Sequence, residues 1–141
     1  MKVKIKRLNE SAVVPKYQVE GDAGMDLVAT SRSVDDKGNI VYGTGLAFEI
    51  PKGYVGLIFP RSSLSKYGLM LTNHVGVIDS GYRGEVTAKF KVISGNPEIY
   101  KVGDRIAQMI IMPYPKVEFT ETDVLSDSER GTGGYGSTGS K

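Results

Sequence analysis

Cysteine and tryptophan are absent from this chain, and histidine occurs once. Without cysteine there is no disulfide framework, no thiolate nucleophile and no cysteine-ligated zinc. With His74 as the single imidazole, a histidine-rich zinc site is excluded, and a Ser-His-Asp triad would have to be built on that one residue. Beside Asn73, His74 reads as an exposed or hydrogen-bonded loop residue, so acid-base chemistry falls to a carboxylate. An excess of one charge is lacking too. Eighteen Lys and Arg against sixteen Asp and Glu leave a net charge of +2, without the basic footprint of a nucleic-acid binder. No apolar run approaches membrane-spanning length, and MKVKIKRLNE at the start has no signal-peptide core. The expectation is a cytoplasmic protein with neither nucleic-acid nor membrane partners.

What is present is alternation cut by turns. A length of 141 residues, 40% of them hydrophobic, suits one domain with its own core. KVKIK (2–6), LAFEI (46–50) and EVTAKFKV (85–92) alternate with period two, and Val86, Ala88, Phe90 and Val92 share one face. GYVGLIF (53–59) and RIAQMIIM (105–112) are apolar enough to read as strands buried on both faces. DDKGN (35–39), PKG (51–53), SGN (94–96) and VGD (102–104) are turn signals. Short strands between dense turns predict an all-β sandwich or jelly roll. The one helix expected is SSLSKYG (62–68), with Ser62 or Ser63 as N-cap and Gly68 past its end. Apolar residues stop near Ser126, dividing a β domain (1–125) from a glycine-rich arm (126–141).

Several polar residues sit awkwardly in that pattern. PRSS (60–63) places an arginine and two hydroxyls after an apolar strand, where free backbone N–H groups suit either a phosphate or a plain helix cap. Gln108 interrupts IAQMII, so it is hydrogen-bonded in the core or aimed at a ligand. Asp79 and Tyr82 lie in GVIDSGYRG (76–84), a strand running into a turn that an aspartate could simply cap. Asp26, in AGMDL (23–27), is ambiguous alone. RGTGGYGSTGSK (130–141) combines a cation, an aromatic ring and hydroxyls with too much glycine for a packed element.

In their order along the chain, AGMDL, PRSSLSKYGL, GVIDSGYRG, GDRIAQM and RGTGGYGSTG resemble the five motifs of the homotrimeric dUTPase family. The resemblance runs from about residue 23 to 139. It implies a distorted jelly roll (a β-clip) with one short helix and a mobile C-terminal arm. It also implies magnesium-dependent hydrolysis of dUTP to dUMP and pyrophosphate, which keeps dUTP low and supplies dUMP for thymidylate synthesis. The resemblance makes Asp79 the base that orients and deprotonates the attacking water, and Tyr82 the ring packed under the deoxyribose. Uracil would be read by backbone groups around Asn73, Val77 and Ile78. Arg61, Ser62 and Ser63 would line the phosphates, with Gln108 reaching them or the water. Mg2+ would be held chiefly by the three phosphates and by water, with Asp26 an outer-shell partner or, alternatively, a residue that fixes a loop or an arginine.

The same resemblance turns the arm into a lid. Arg130 would meet the γ-phosphate, Tyr135 would stack on uracil, and Gly136 and Ser137 would add donors. Sites would be shared within a homotrimer, one subunit donating its arm. Two departures stand out: Tyr135 replaces the family's usual phenylalanine, and PRSS replaces the commoner PRSG, so that Ser63 adds a side chain near the phosphates. Two alternatives accompany this reading. A dCTP deaminase shares the fold but needs an additional carboxylate base, and phage-type dUTPases can also act as protein-binding regulators.

Overall fold

Ten short strands form among the described residues, close to where alternation and turns predict them. The computed structural model describes residues 1–95 and 97–137; residue 96 of the expected SGN turn and the last four residues of the expected arm lie outside them. The strands are β1 (Lys4–Arg7), β2 (Met25–Val28), β3 (Ser31–Val34), β4 (Ile40–Gly43), β5 (Leu46–Glu49), β6 (Tyr54–Phe59), β7 (Leu69–Leu71), β8 (Gly76–Ile78), β9 (Thr87–Val92) and β10 (Arg105–Pro113). All pairings are antiparallel. One four-stranded sheet runs β2-β10-β6-β8, a second runs β3-β4-β9-β7, and β1 pairs with β5 as a ribbon. The chain is thus the all-β, jelly-roll-like fold expected.

Alternation explains the core. Ile58 and Met109 project from the first sheet, Tyr42, Ala88 and Phe90 from the second, and Leu46 and Phe48 from the ribbon, all buried. Val92, expected on the same face as Phe90, is 36% exposed at the end of β9.

The apolar strands β6 and β10 depart from expectation in an informative way. They are buried on one face only: Gly56 and Ile58 of β6 are buried, while Val55, Leu57 and Phe59 are not. The register pairs Phe59 with Gln108, Leu57 with Ile110 and Val55 with Met112, so these side chains share the outer face of the first sheet. The second sheet covers the inner face alone, and an apolar outer face is left open on the single chain.

The expected helix is a single 3-10 segment, Ser62–Lys66, with Tyr67 as its C-cap and Gly68 past its end as expected. Neither Ser62 nor Ser63 is its N-cap. Arg61 holds that position in extended conformation, without a side-chain capping bond. The serines begin the turn itself, and Ser63 Oγ is already engaged by Arg61 Nη1 at 3.1 Å.

Among the described residues beyond Pro113 no regular element follows, and each of them from Tyr114 to Ser137 is exposed except the half-buried Gly133. Phe119 and Leu125 lie bare at 92% and 82%. No helix among the described residues is long and apolar enough to cross a membrane.

Candidate active site

A one-residue irregularity in β10 builds the first cluster. Arg105 and Gln108 are three residues apart, which in a plain strand puts them on opposite faces. The register shifts between Arg105 and Ala107, leaving Ile106 as a bulge. Arg105 then pairs with Val28 and Gln108 with Asp26, so both project on the outer face beside Asp26. Ile106, Ala107 and Met109 are fully buried.

Asp26 is the hub of this corner. Its Oδ1 accepts from Arg61 Nε at 2.7 Å and its Oδ2 from Arg105 Nη1 at 3.1 Å. Asp26 is only 13% exposed, Arg61 24% and Arg105 50%, so the inner ion pair is the better shielded. Gln108 donates from Nε2 to the Pro60 carbonyl at 3.0 Å, which ties β10 to the PRSS loop. Gly24 is the residue that permits this: a Cβ there would run into the Gln108 carboxamide oxygen. Gly24, Asp26, Arg61, Ser62, Arg105 and Gln108 line a cleft of about 460 Å³. Two guanidiniums, an amide and a serine hydroxyl around one carboxylate are donors of the kind that suit a polyanion.

The second cluster sits past the far edge of the same sheet. β8 pairs with β6 alone, so its other edge presents unpaired backbone groups of the kind that can read a base. Val77 and Ile78 are on β8, and Asn73 is in the turn before it, where His74 takes φ 58° and is exposed as expected. Asp79 follows β8, is exposed, and takes no part in the ion pairs of the described residues. Its carbonyl accepts from Tyr82 N at 3.0 Å, closing the turn. Tyr82 donates its hydroxyl to the Glu85 carbonyl at 2.9 Å, and a side chain at Gly84 would strike the ring. The ring is thereby fixed over the hairpin, 44% exposed. Asp79 and Tyr82 line a smaller cleft of about 140 Å³ with Val77 and Ile78.

The two clusters do not meet within one chain. No residue lines both clefts. Ile78 pairs with Gly56, whereas Arg61 lies five residues further along β6 and its loop; at ~3.3 Å per residue the two ends are roughly 15 Å apart.

The arm holds its residues apart from both. Arg130 Nε donates to the Gly133 carbonyl at 2.9 Å, and Ser137 N to the Gly134 carbonyl at 3.0 Å. Tyr135 takes φ 49° and Gly136 φ 82°, a left-handed pair that turns the chain and leaves the Tyr135 ring wholly exposed.

Comparison with known proteins gives the family. A dUTPase family model matches residues 10–139. The chain belongs to the dUTPase family. A deoxyuridine 5'-triphosphate nucleotidohydrolase of Nautilia profundicola is 46% identical over 143 residues, covering 99% of each chain. Among solved structures, a mutant dUTPase of Staphylococcus bacteriophage 80alpha with dUpNHpp is similar at TM-score 0.82 and 28% identity, covering 98% of each chain. A mutant dUTPase from phage phi11 of S. aureus, described with a structural Mg(II) ion, is similar at TM-score 0.74 and 25% identity, covering 88% of this chain and 98% of that one.

Set in the dUTPase fold, Asp26, Arg61, Ser62 and Gln108 of the expected site converge, and Asp79 gathers with Tyr82, Val77 and Ile78. Two contributors escaped the sequence reading. Arg105 lies inside the GDRIAQM motif, but its face depends on the bulge. Gly24 lies inside AGMDL, and only its contact with a strand more than 80 residues away shows its role.

Proposed function

We propose that this hydrolase of the dUTPase family cleaves dUTP to dUMP and pyrophosphate at a site assembled from three copies of the chain, in the cytoplasm. What carries the reading is the separation of the two clusters. An acidic residue free to act as base and a polyanion receptor stand at opposite ends of one sheet, too far apart to serve one triphosphate within one chain. Bringing the Asp79 hairpin of one copy against the Asp26–Arg61–Gln108 corner of another would make the constellation whole. The open apolar face carrying Leu57, Phe59 and Ile110, and the exposed residues 114–137, supply surface for such an assembly.

In this scheme Asp79 accepts the proton of a water whose oxygen attacks the α-phosphorus. The new bond is from that oxygen to phosphorus; the bond to the bridging oxygen breaks, and pyrophosphate leaves with the electron pair. Arg61 and Ser62 hold the phosphates, and Gln108 turns from Pro60 towards them or towards the water. Tyr82 packs under the deoxyribose where a 2′-hydroxyl would collide. Backbone groups of Asn73, Val77 and Ile78 pair with uracil; cytosine presents the opposite donor pattern and would leave them unpaired. Arg130, Tyr135, Gly136 and Ser137 close over the nucleotide from the third copy.

The residues present fit Mg2+ in one way only. No group of three or more His, Asp or Glu among the described residues could cage a cation, and both oxygens of Asp26 are taken by guanidiniums. Substrate phosphates and water would therefore be the ligands, with Asp26 an acceptor for a bound water. Bound there, the ion neutralises charge on the triphosphate.

The test mixes two dead chains, Asp79→Asn and a chain truncated before Arg130. Under random assembly of equal amounts, a site taking its base and its arm from different copies would be complete in roughly a quarter of cases, giving about that fraction of wild-type activity. Verified mixed trimers without activity would refute the shared site. Ammonia release from dCTP would instead favour the deaminase reading.

A further inference from the structure

Tyr100 is 1% exposed, yet its hydroxyl is a buried polar atom with no hydrogen-bond partner among the described residues. Buried hydroxyls nearly always find one, so this orphan calls for an explanation. The ring is clamped: Tyr67 lies tilted at 4.2 Å between centroids, Phe90 tilted at 5.7 Å, and Tyr42 edge-on at 6.2 Å. The Tyr42 hydroxyl also donates to the Tyr100 carbonyl at 2.7 Å. The side chain cannot swing out to water without opening the core.

The clamp connects Tyr100 to the phosphate loop. Tyr67 is the residue that closes the 3-10 turn. A Cβ at Gly68 would strike Ser94 and Pro97, so the end of the turn is packed tightly on the segment that leads to Tyr100. Burial pushes the phenol up from its ordinary value, so it stays a donor, against the smaller opposing pull of the nearby Ser63 side chain and Arg61 guanidinium. Ser63 Oγ accepts from Arg61 Nη1 and has a second lone pair free.

We propose that Tyr100 is a positioning residue of the phosphate loop: as the loop draws in on a triphosphate, the Tyr100 hydroxyl donates to Ser63 Oγ. That bond fixes the serine oxygen as the acceptor for Arg61 and holds the guanidinium against the phosphates. Glycine, the family's commoner residue at position 63, could not take part, so the device belongs to the serine form of the loop. The inference rests on Arg61 and the two serines being phosphate ligands, as proposed above.

Tyr100→Phe deletes only the hydroxyl. Without nucleotide the variant should melt at or above the wild-type temperature, because it removes an unpaired buried group. A non-hydrolysable dUTP analogue should bind roughly 3- to 10-fold more weakly, the loss of one neutral hydrogen bond. Binding of dUMP, which hardly engages the loop, should not change. Combined with Ser63→Ala, Tyr100→Phe should add nothing further to the loss in analogue affinity. Unchanged analogue affinity, additive losses in the double variant, or equal weakening towards dUMP and the analogue would each overturn the proposal. Wild-type protein that fails to bind the analogue would sink the site reading itself, whereas normal wild-type binding without coupling sinks this inference alone.

Discussion

Replacing Asp26 by asparagine changes one charge and almost no volume, at a residue that both arginines of the cleft depend on. The amide oxygen can still accept from Arg61 Nε, now at 2.7 Å from a carboxylate oxygen, so that arm keeps its bond and loses its charge assistance. A hydrogen bond to a charged group contributes roughly 1.5–3 kcal/mol against 0.5–1.5 for a neutral one, so the arm weakens by about 1 kcal/mol. The other arm is lost, because the amide NH2 would face the Arg105 guanidinium donor to donor. Arg105 is half exposed, so its share is discounted to about 0–1 kcal/mol. The total of about 1–2 kcal/mol should lower the melting temperature by roughly 3–10 °C in a chain of this size. Raising salt to 1 M shortens the screening length to about 3 Å and should erase the Arg105 share but not the Arg61 share, narrowing the gap without closing it. The assay is a pair of thermal melts, wild type and variant, at low and high salt. A variant that melts within 1 °C of wild type at low salt would show that the carboxylate is not a hub. Titrating magnesium in the activity assay then separates the two roles of Asp26: a raised magnesium requirement marks an outer-shell partner, an unchanged one a purely arginine-holding residue.

Three further outcomes are expected. Asp79→Asn should keep the fold and analogue binding while turnover falls by ~10²–10⁴, the contribution of a general base; near-normal turnover in a folded variant would place the base elsewhere. Gly24→Ala should displace the Gln108 carboxamide from Pro60 at a cost of only ~1 kcal/mol, yet reduce kcat by at least about tenfold; wild-type kcat would mean that the position of Gln108 is not used. Asp35 accepts hydrogen bonds from Asn39 and Lys37 N–H groups and pairs with Lys89 at 3.0 Å, and these partners, Asn39 foremost, hold its carboxyl well below the usual carboxylate range. Its stabilisation is complete above about pH 4, its unfolded value, and is lost as pH falls towards its folded value, so Asp35→Asn should flatten the acid side of a stability–pH curve. An unchanged acid limb would refute it.

The strands were legible because alternation depends on neighbours in sequence. Val86, Ala88 and Phe90 needed no knowledge of the fold to be assigned to the core. Asp26, Arg61 and Gln108 could be suspected for the opposite reason, as polar residues that an apolar pattern does not accommodate. What escaped is set by contacts distant in sequence. The antiparallel pairing of β6 with β8 sends Arg61 and Asp79 out at opposite ends, and no local pattern encodes which strands pair. The serines of PRSS look like helix caps, but the Asp26 pair holds Arg61 in the capping position and Ser63 answers to Arg61. Burial of β6 on both faces was expected from its composition, but composition does not count the layers of a fold, and here the second sheet covers one face only.

The bulge at Ile106 makes counting as important as chemistry in β10. Arg105 reaches Asp26 only because one supernumerary residue offsets the pleat between it and Gln108. Deleting a single residue there would leave arginine, alanine and glutamine all present, yet would rotate the arginine towards the hydrophobic interior or drag the glutamine off its partner. A length change in this strand is therefore a graver lesion than most substitutions. An alignment that permits a gap between Arg105 and Gln108 would group this chain with proteins that share its letters and lack its cleft.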